Sequence, residues 1–445
     1  MKTKLKNLFS NKLFSKGLSD SKYYLIANLG NKLFAFLIIP IIAKSVGVEE
    51  FATYDLFLVM STFLNILIIL GIDSGIAILL AESKEDSEAL SFLYVSSLLI
   101  SSSALLVMFL VVNTLFLFTN ELFLLPKEIW NFIFAYVFFT MITYHTFNFL
   151  RWREMAKRAS FITLFSYIAG MLLGVLFLYL YGGVNSYLKG LIIGVAFGAG
   201  VALYNAREYI KSFKIIKDAN SLLKELFILS LPFVPNYLGN SLMQMADRFV
   251  ILMLFGKYEL GIYALIVKLA MIPQILIGTL SGGFLPVMYS NYKTKKGAKL
   301  IRDFFHSYLI FIPLAFIVAY FLKDFAIKIF GGEEYLEYSY LLPIALVAIL
   351  FLKSSQTNGF GYSIGRKTHY IIYITFLTVI INYVFSYVLG YVVGLEGVLL
   401  GTLIAGVVRT YLYSFYSEKL YSFNYNLKLI LFSTLAVFLL IFFFR

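Results

Sequence analysis

The sequence predicts an all-α integral membrane protein, built as two parallel six-helix repeats with one extra C-terminal span. Three observations carry this. Of 445 residues, 60% are apolar and only 14% are charged, where a soluble domain carries about a quarter charged. Apolar runs of about 20 residues recur along the chain, the length at which a helix spans a bilayer. Two short patterns in the first half return in the second at almost one offset. The runs are continuous and do not alternate with period two, which excludes a transmembrane barrel.

Breaks at charged or Gly-rich positions divide the chain into spans at about 23–43, 54–80, 90–118, 129–150, 160–181 and 186–206. A more polar stretch follows, then spans at about 226–255, 260–290, 303–330, 338–361, 370–390, 395–416 and 427–444. The domain reading is therefore a basic cytoplasmic segment 1–22, a first lobe 23–206, a cytoplasmic linker 207–225, a second lobe 226–416 and an additional helix 427–445. Several runs exceed what the hydrocarbon core requires, which calls for tilt or projection beyond it. No small-x-small cleavage site follows the N-terminal lysines, so the run from Tyr23 reads as a retained first helix.

Lys and Arg counts set the expected orientation. One set of loops, beginning with the N-terminus, holds 25 of them, and the opposite set holds six. The richer set reads as cytoplasmic, giving a multi-pass protein of the plasma (inner) membrane with its N-terminus inside. That asymmetry absorbs most of the net charge of +13, so no nucleic-acid partner is expected. The linker carries Arg207, Lys211, Lys214, Lys217 and Lys224 among Phe213, Ile215 and Ile216. Both an amphipathic segment on the anionic inner leaflet and an ordinary positive-inside loop fit it. Cysteine is absent and the three histidines, His145, His306 and His369, lack ligand spacing. No thiolate site, disulfide or metal centre is expected.

The repeat rests on paired corners. Gly47-Val-Glu-Glu-Phe-Ala-Thr-Tyr54 returns as Gly256-Lys-Tyr-Glu-Leu-Gly-Ile-Tyr263, and Lys189-Gly-Leu-Ile-Ile-Gly194 returns as Glu396-Gly-Val-Leu-Leu-Gly401. Two halves that start on the same side of the membrane with six spans each are parallel repeats. Transporters built this way hold their substrate between the halves and work by alternating access.

An ionisable group at mid-span costs about 2.5–3.5 kcal/mol on insertion scales and faces protein or water. The candidates are Lys32, Asp73, Lys189, Asp247, Arg248, Lys268, Lys353 and Arg409. Lys189 lies near a loop and can snorkel. In the seventh span Asn236, Asn240, Gln244 and Asp247 fall on one helical face, with Arg248 at its edge. In the first, Asn28 and Lys32 stand one turn apart beside Asn31, which maps onto Asn240 by the repeat. Such a stripe reads as a cavity lining, although amides also join helices by interhelical hydrogen bonds. If the charges share one cavity, Lys32, Arg248 and Lys268 face Asp73 and Asp247, a balance that suits a phosphate or diphosphate. Pairing of Asp247 with Lys268 and of Asp73 with Lys32 would instead leave little net field.

These residues resemble the polysaccharide flippases of the Wzx (O-antigen) type, the polysaccharide transporter branch of the multidrug, oligosaccharidyl-lipid and polysaccharide exporter (MOP) superfamily. The resemblance covers about residues 20–420. It rests on Pro40 with Gly47 and Tyr54, Gly71-Ile-Asp73, Leu231-Pro232 before Asp247-Arg248, Gly261-Ile-Tyr263 with Lys268, and Gly397 with Gly401. It implies a V-shaped two-lobe transporter that moves a polyprenyl-diphosphate-linked oligosaccharide from the cytoplasmic to the outer leaflet for surface polysaccharide synthesis. An arginine common after the second-span Gly-x-Asp is absent, since Ile78, Leu79 and Leu80 stand there.

On this reading Lys32, Arg248 and Lys268 hold the diphosphate or acidic sugars, and Asn28, Asn31, Asn236, Asn240 and Gln244 meet sugar hydroxyls. Asp73 and Asp247 balance charge or carry a coupling ion. No cofactor is expected beyond a coupling proton or sodium ion. The expected partners are the glycan carrier, the bilayer and the polysaccharide polymerase machinery. A lipid II flippase of peptidoglycan synthesis shares the fold class, as does a multidrug antiporter, which the missing first-span acid disfavours. A membrane glycosyltransferase or polymerase would need a catalytic base or metal-holding acids in a sizeable loop. The acidic cluster Glu333, Glu334 and Glu337 has no Lys, Arg or His within it.

Overall fold

The computed structural model describes residues 12–82, 86–367 and 369–444. The first eleven residues of the basic segment, Lys84 and the terminal Arg445 lie outside the described residues. Apart from one two-stranded hairpin at Glu121–Leu122 and Leu125–Pro126, the regular structure is helical. Twelve helical stretches among the described residues are long and apolar enough to cross a membrane. The chain is a multi-pass membrane protein.

In order, the helices are α1 (Lys12–Val46), α2 (Val48–Ile69), α3 (Ile72–Glu82), α4 (Ser87–Leu115), α5 (Lys127–Trp152), α6 (Ala156–Tyr181) and α7 (Gly183–Asn205). Then come α8 (Arg207–Lys211), α9 (Ala219–Ser230), α10 (Val234–Leu254), α11 (Lys257–Ala270), α12 (Ile272–Asn291) and α13 (Lys295–Phe330). The last are α14 (Leu341–Lys353), α15 (Ser355–Asn358), α16 (Phe360–Ile364), α17 (His369–Val393), α18 (Leu395–Leu420) and α19 (Leu427–Phe443).

Several expected spans are broken, each at an identifiable residue. The second breaks into α2 and α3 where Leu70 and Gly71 both take positive φ, 53° and 71°. The seventh is reached through α9 and a short 3-10 turn, Leu231–Phe233, around Pro232. The eighth is interrupted between α11 and α12, with Pro273 in the first turn of α12. The expected linker, 207–225, contains α8 and the first half of α9. The thirteenth run forms α19, whose 17 residues are fewer than the twelve crossing stretches have.

Two compact units result. Unit 1 comprises the chain up to Ser45 with Leu56–Tyr237, and unit 2 comprises Val46–Asp55 with the chain from Leu238 onward. The division therefore falls inside α10 instead of at the linker, because α9 packs against α3 in unit 1. Gly71 and Gly75 make that contact, and a Cβ on either would run into Ser230. The core of unit 1 gathers Ile76 and Leu80 of α3, Tyr94 of α4, Phe149 of α5, Ile162 of α6 and Leu226 of α9.

Unit 2 is organised around α14, in which every residue from Leu341 to Leu352 is buried. A helix apolar on all sides belongs at the centre of a bundle, and this one does. The paired Gly motifs have corresponding contacts. Gly190 and Gly194 let α7 close on the α6 backbone, and Gly397 and Gly401 let α18 close on α17. α19 is tied to unit 2 through Ser433, whose Oγ donates to the Leu309 carbonyl at 2.8 Å. The Glu418 carboxylate shapes the preceding turn by accepting from the backbone N–H groups of Phe423, Asn424 and Tyr425.

Candidate functional site

In unit 1, α1, α2, α5, α6 and α7 enclose a cavity of about 610 Å³, a volume in the range of small-molecule sites. Asn28, Asn31 and Lys32 of α1 line it, with Thr62 and Asn65 of α2, Thr140, Thr143 and Tyr144 of α5, and Thr163, Ser166 and Tyr167 of α6. Lys32 is exposed and is the only Lys or Arg among the lining residues. No carboxylate among the described residues pairs with it.

The polar groups around Lys32 have a common bias. Thr62, Thr140 and Thr163 donate their hydroxyl hydrogens to carbonyls of their own helices at 2.8–3.1 Å. A hydroxyl so engaged keeps its lone pairs for incoming donors. Asn31 Oδ1 is buried and has no hydrogen-bond partner. The cavity thus presents one ammonium group among acceptors. Asp73, in the first turn of α3, accepts at Oδ2 from the hydroxyl of Tyr144 at 2.9 Å, while its Oδ1 is buried and unpartnered. Beside it, the Ser74 and Tyr237 hydroxyls share a 2.8 Å hydrogen bond.

Unit 2 holds Asp247, Arg248 and Lys268 in two adjoining networks. Asp55, near the start of α2 and fully buried, accepts from Arg248 Nε at 2.7 Å and from the Lys268 ammonium on its other oxygen. Lys268 also lies over the rings of Phe51 and Tyr54 at 5.8 and 5.5 Å, and Arg248 Nη1 donates to the Gln244 carbonyl at 2.6 Å. One carboxylate therefore serves two cations. Close approach of α11 to this end of α2 depends on Gly261, where a Cβ would strike the Val48 carbonyl.

Asp247 belongs to the second network. Its Oδ2 accepts from the Tyr263 hydroxyl at 2.5 Å, and its Oδ1 from Asn382 Nδ2 at 2.8 Å and Thr402 Oγ1 at 3.0 Å. Ser386 Oγ donates to Asn382 Oδ1 at 3.0 Å, fixing the amide that holds the acid. Lys268 is engaged by Asp55 and Asp73 by Tyr144, so neither pairing weighed from the sequence occurs.

The expected stripe on the seventh span is distributed. Asn236 falls in unit 1 and Asn240 in unit 2; Gln244 is exposed, whereas Asp247 and Arg248 are buried. Three residues of helix turn the direction by about 300°, enough to carry Asp247 off the Gln244 face and into the packing with α17 and α18. Among the ten expected residues the structure brings Asn28, Asn31 and Lys32 together, and Arg248 with Lys268. Asp55 was missed. The sequence signal was an acid directly after Tyr54 in an apolar run, which a second span beginning at 54 reads as interfacial. Because α2 begins at Val48, Asp55 instead stands two turns inside the helix.

Comparison with known proteins gives consistent matches. The model of a family described as polysaccharide biosynthesis protein matches residues 18–292. The capsular polysaccharide biosynthesis protein CapF of Staphylococcus aureus is 31% identical over 139 residues, which is 31% of this chain and 35% of that relative. The chain thus matches about a third of CapF's length. An uncharacterized membrane protein of Haemophilus influenzae is 22% identical over 345 residues, 74% of this chain and 80% of its own. Among solved structures, an inward-facing multidrug resistance MATE family transporter of the MOP superfamily aligns with a TM-score of 0.67 at 16% identity, covering 88% of this chain and 93% of that one. The lipid II flippase MurJ, inward closed, aligns at 0.61 and 18% identity, covering 96% and 92%. At these identities the structural matches establish the fold.

The Asp55 network makes a direct prediction. Asp55→Asn leaves two buried cations without their counter-charge, which should cost about 3–5 kcal/mol. Thermal unfolding of the purified protein should show a clear fall in Tm, partly restored by adding Lys268→Met. An unchanged Tm for Asp55→Asn would mean that the cluster contributes nothing to stability.

Proposed function

The chain belongs to the polysaccharide biosynthesis protein family, and from that premise we propose that it is a flippase. Its cargo is a polyprenyl-diphosphate-linked oligosaccharide, moved from the cytoplasmic to the outer leaflet by alternating access for surface polysaccharide synthesis. The observation that carries this reading is the unit 1 cavity, where Lys32 stands without a carboxylate partner among acceptors. An ammonium attracts a phosphate or an acidic sugar, and acceptors attract sugar hydroxyls. A cationic drug would meet a like charge. The family match supports a polysaccharide precursor over lipid II, since MurJ shares only the fold at this identity. No catalytic step belongs to this reading, and the polysaccharide polymerase machinery is the expected recipient of the cargo.

Lys32→Met should abolish export of the lipid-linked glycan while the protein reaches the membrane at normal abundance, and Lys32→Arg should retain most of it. Flipping in proteoliposomes loaded with the carrier measures this. Wild-type rates for Lys32→Met would remove the cavity from the transport path.

Asp247 is the better placed of the two acids for ion coupling. Three neutral donors hold it, and Lys268 is already balanced by Asp55. We therefore assign it the coupling proton or sodium ion instead of charge balance. Asp247→Asn should fold at normal yield yet make flipping indifferent to an imposed pH or sodium gradient. A rate that still follows either gradient would return Asp247 to a packing role.

The orientation, with the N-terminus in the cytoplasm of a plasma (inner) membrane, follows from the Lys and Arg count. The natural absence of cysteine allows a clean test. Single cysteines at Glu121, Tyr258 and Glu333, all exposed, should react with an impermeant thiol reagent on intact cells. Those at the equally exposed Lys157, Lys214 and Lys295 should not. The opposite pattern would invert the topology.

A further inference from the structure

Two more cations lie inside unit 2 and take no part in the Asp55 cluster. Lys353 ends α14, and Arg409 stands on α18 just before Thr410. Ser354 and Thr410, their immediate neighbours in sequence, share a 2.7 Å hydrogen bond between hydroxyls. Gly406, one turn before Arg409, lets α18 approach the Phe351–Leu352 backbone, where a Cβ would meet Leu352 N at 2.9 Å. Close packing therefore brings the two basic residues together.

Arg409 is only 5% exposed, and its Nε has no hydrogen-bond partner. Its Nη1 reaches the Met243 sulfur at 2.7 Å, a weak acceptor, and the guanidinium lies 5.2 Å from the Tyr413 ring centre. The charged group acting on Lys353 is Arg409 itself, a like charge. The acids of unit 2 are placed elsewhere. Asp55 and Asp247 are engaged as described, Glu418 holds its turn, and Glu396 lies in the first turn of α18, roughly 20 Å along the helix from Arg409.

A buried guanidinium without a counter-charge is unfavourable, and a second cation beside it makes it more so. An oxyanion between them would relieve both, because a guanidinium can grip two oxygens at once and an ammonium adds a point charge. Lys353 is less buried than Arg409, which leaves an approach from its side. One turn beyond Lys353, Gln356 Oε1 accepts from Gln274 Nε2 at 2.7 Å, while Gln274 Oε1 is buried without a partner. That oxygen is positioned to accept from a hydroxyl.

We propose that Lys353 and Arg409 form a second anion site, within unit 2, that takes a phosphate-type oxyanion with a hydroxyl-bearing group beside Gln274. The inference rests on the cargo of the proposed function being anionic, and it adds a site separate from Lys32. The same phosphate chemistry is offered by the diphosphate of a glycan carrier and by the headgroup of an anionic lipid.

The test is titration calorimetry on the full chain, purified in detergent, with inorganic pyrophosphate as probe. Lys353→Met should weaken one binding component at least tenfold, and Arg409→Lys should weaken it several-fold while preserving the buried charge and the fold. Lys32→Met should remove only the other component. If both unit 2 variants elute as folded protein and bind pyrophosphate as the wild type does, the inference is overturned, and loss of all binding in Lys32→Met alone would leave the proposed function standing. If Lys32→Met binds like the wild type while the Lys353 and Arg409 variants do not, the second site stands and the role of Lys32 falls. Absence of pyrophosphate binding by the wild type overturns the second site. A further arm separates the sources. In nanodiscs, displacement of pyrophosphate by phosphatidylglycerol but not by a short-chain prenyl diphosphate assigns the site to a lipid headgroup, and the reverse assigns it to the carrier.

Discussion

A carboxylate shared by two cations is the interaction on which unit 2 depends. Asp55 is fully buried and its two oxygens are taken by Arg248 and Lys268. Removing such charges from water costs several kcal/mol each, and their mutual attraction offsets that only when geometry and further hydrogen bonds are good. Here the further contacts exist. The Gln244 carbonyl accepts from Arg248, and the Phe51 and Tyr54 rings face Lys268. The local helix contacts agree with this demand. Gly261 admits α11 against the Val48 backbone, and α2 must start at Val48 to carry Asp55 to this depth.

The same electrostatic rule separates the basic residues by use. Arg248 and Lys268 have a carboxylate, so their charges are largely spent on structure. Lys32 has none and stands in a cavity, where its charge remains available to an anion. The position of Arg248 therefore shifts weight away from the reading in which it grips a diphosphate directly. A cation held by a buried acid can still position its neighbours, but it offers an incoming phosphate little net field.

The fold was legible in the sequence because its largest signals are local. Twenty-residue apolar runs mark the spans, and Gly47, Gly182, Gly256 and Gly394 mark corners, each with positive φ. Helix breaks were less visible. Leu70 has no sequence signature for φ 53°, and the interruption at Gly71 is imposed by close packing against Ser230. Asn28, Asn31 and Lys32 could be read together because they share one helix and one face. Asp55 with Arg248 could not, being 193 residues apart in sequence. Nor could the partners of Asp247, which come from α11, α17 and α18. Composition and periodicity report which faces are polar; they do not say which polar group meets which.

The course of α2 limits how a transport cycle can work. This helix runs unbroken from Val48 to Ile69, yet its residues to Asp55 cluster with unit 2 and those from Leu56 with unit 1. Any rearrangement of one unit against the other must either bend α2 at this handover or release its first turns from unit 2. Sharp bends in helices have identifiable causes, chiefly Pro, Gly pairs or bulges. Val48–Ile69 contains neither Pro nor Gly, and its break comes only at Leu70 and Gly71. Release is therefore the less strained course, and release means opening the Asp55 cluster. That step is feasible only if water reaches all three charges together, since opening the pairs while they stay dry would leave each without a partner. Hydration of this end of α2 is thus coupled to its movement, and the cluster favours those states of the cycle in which it is sealed.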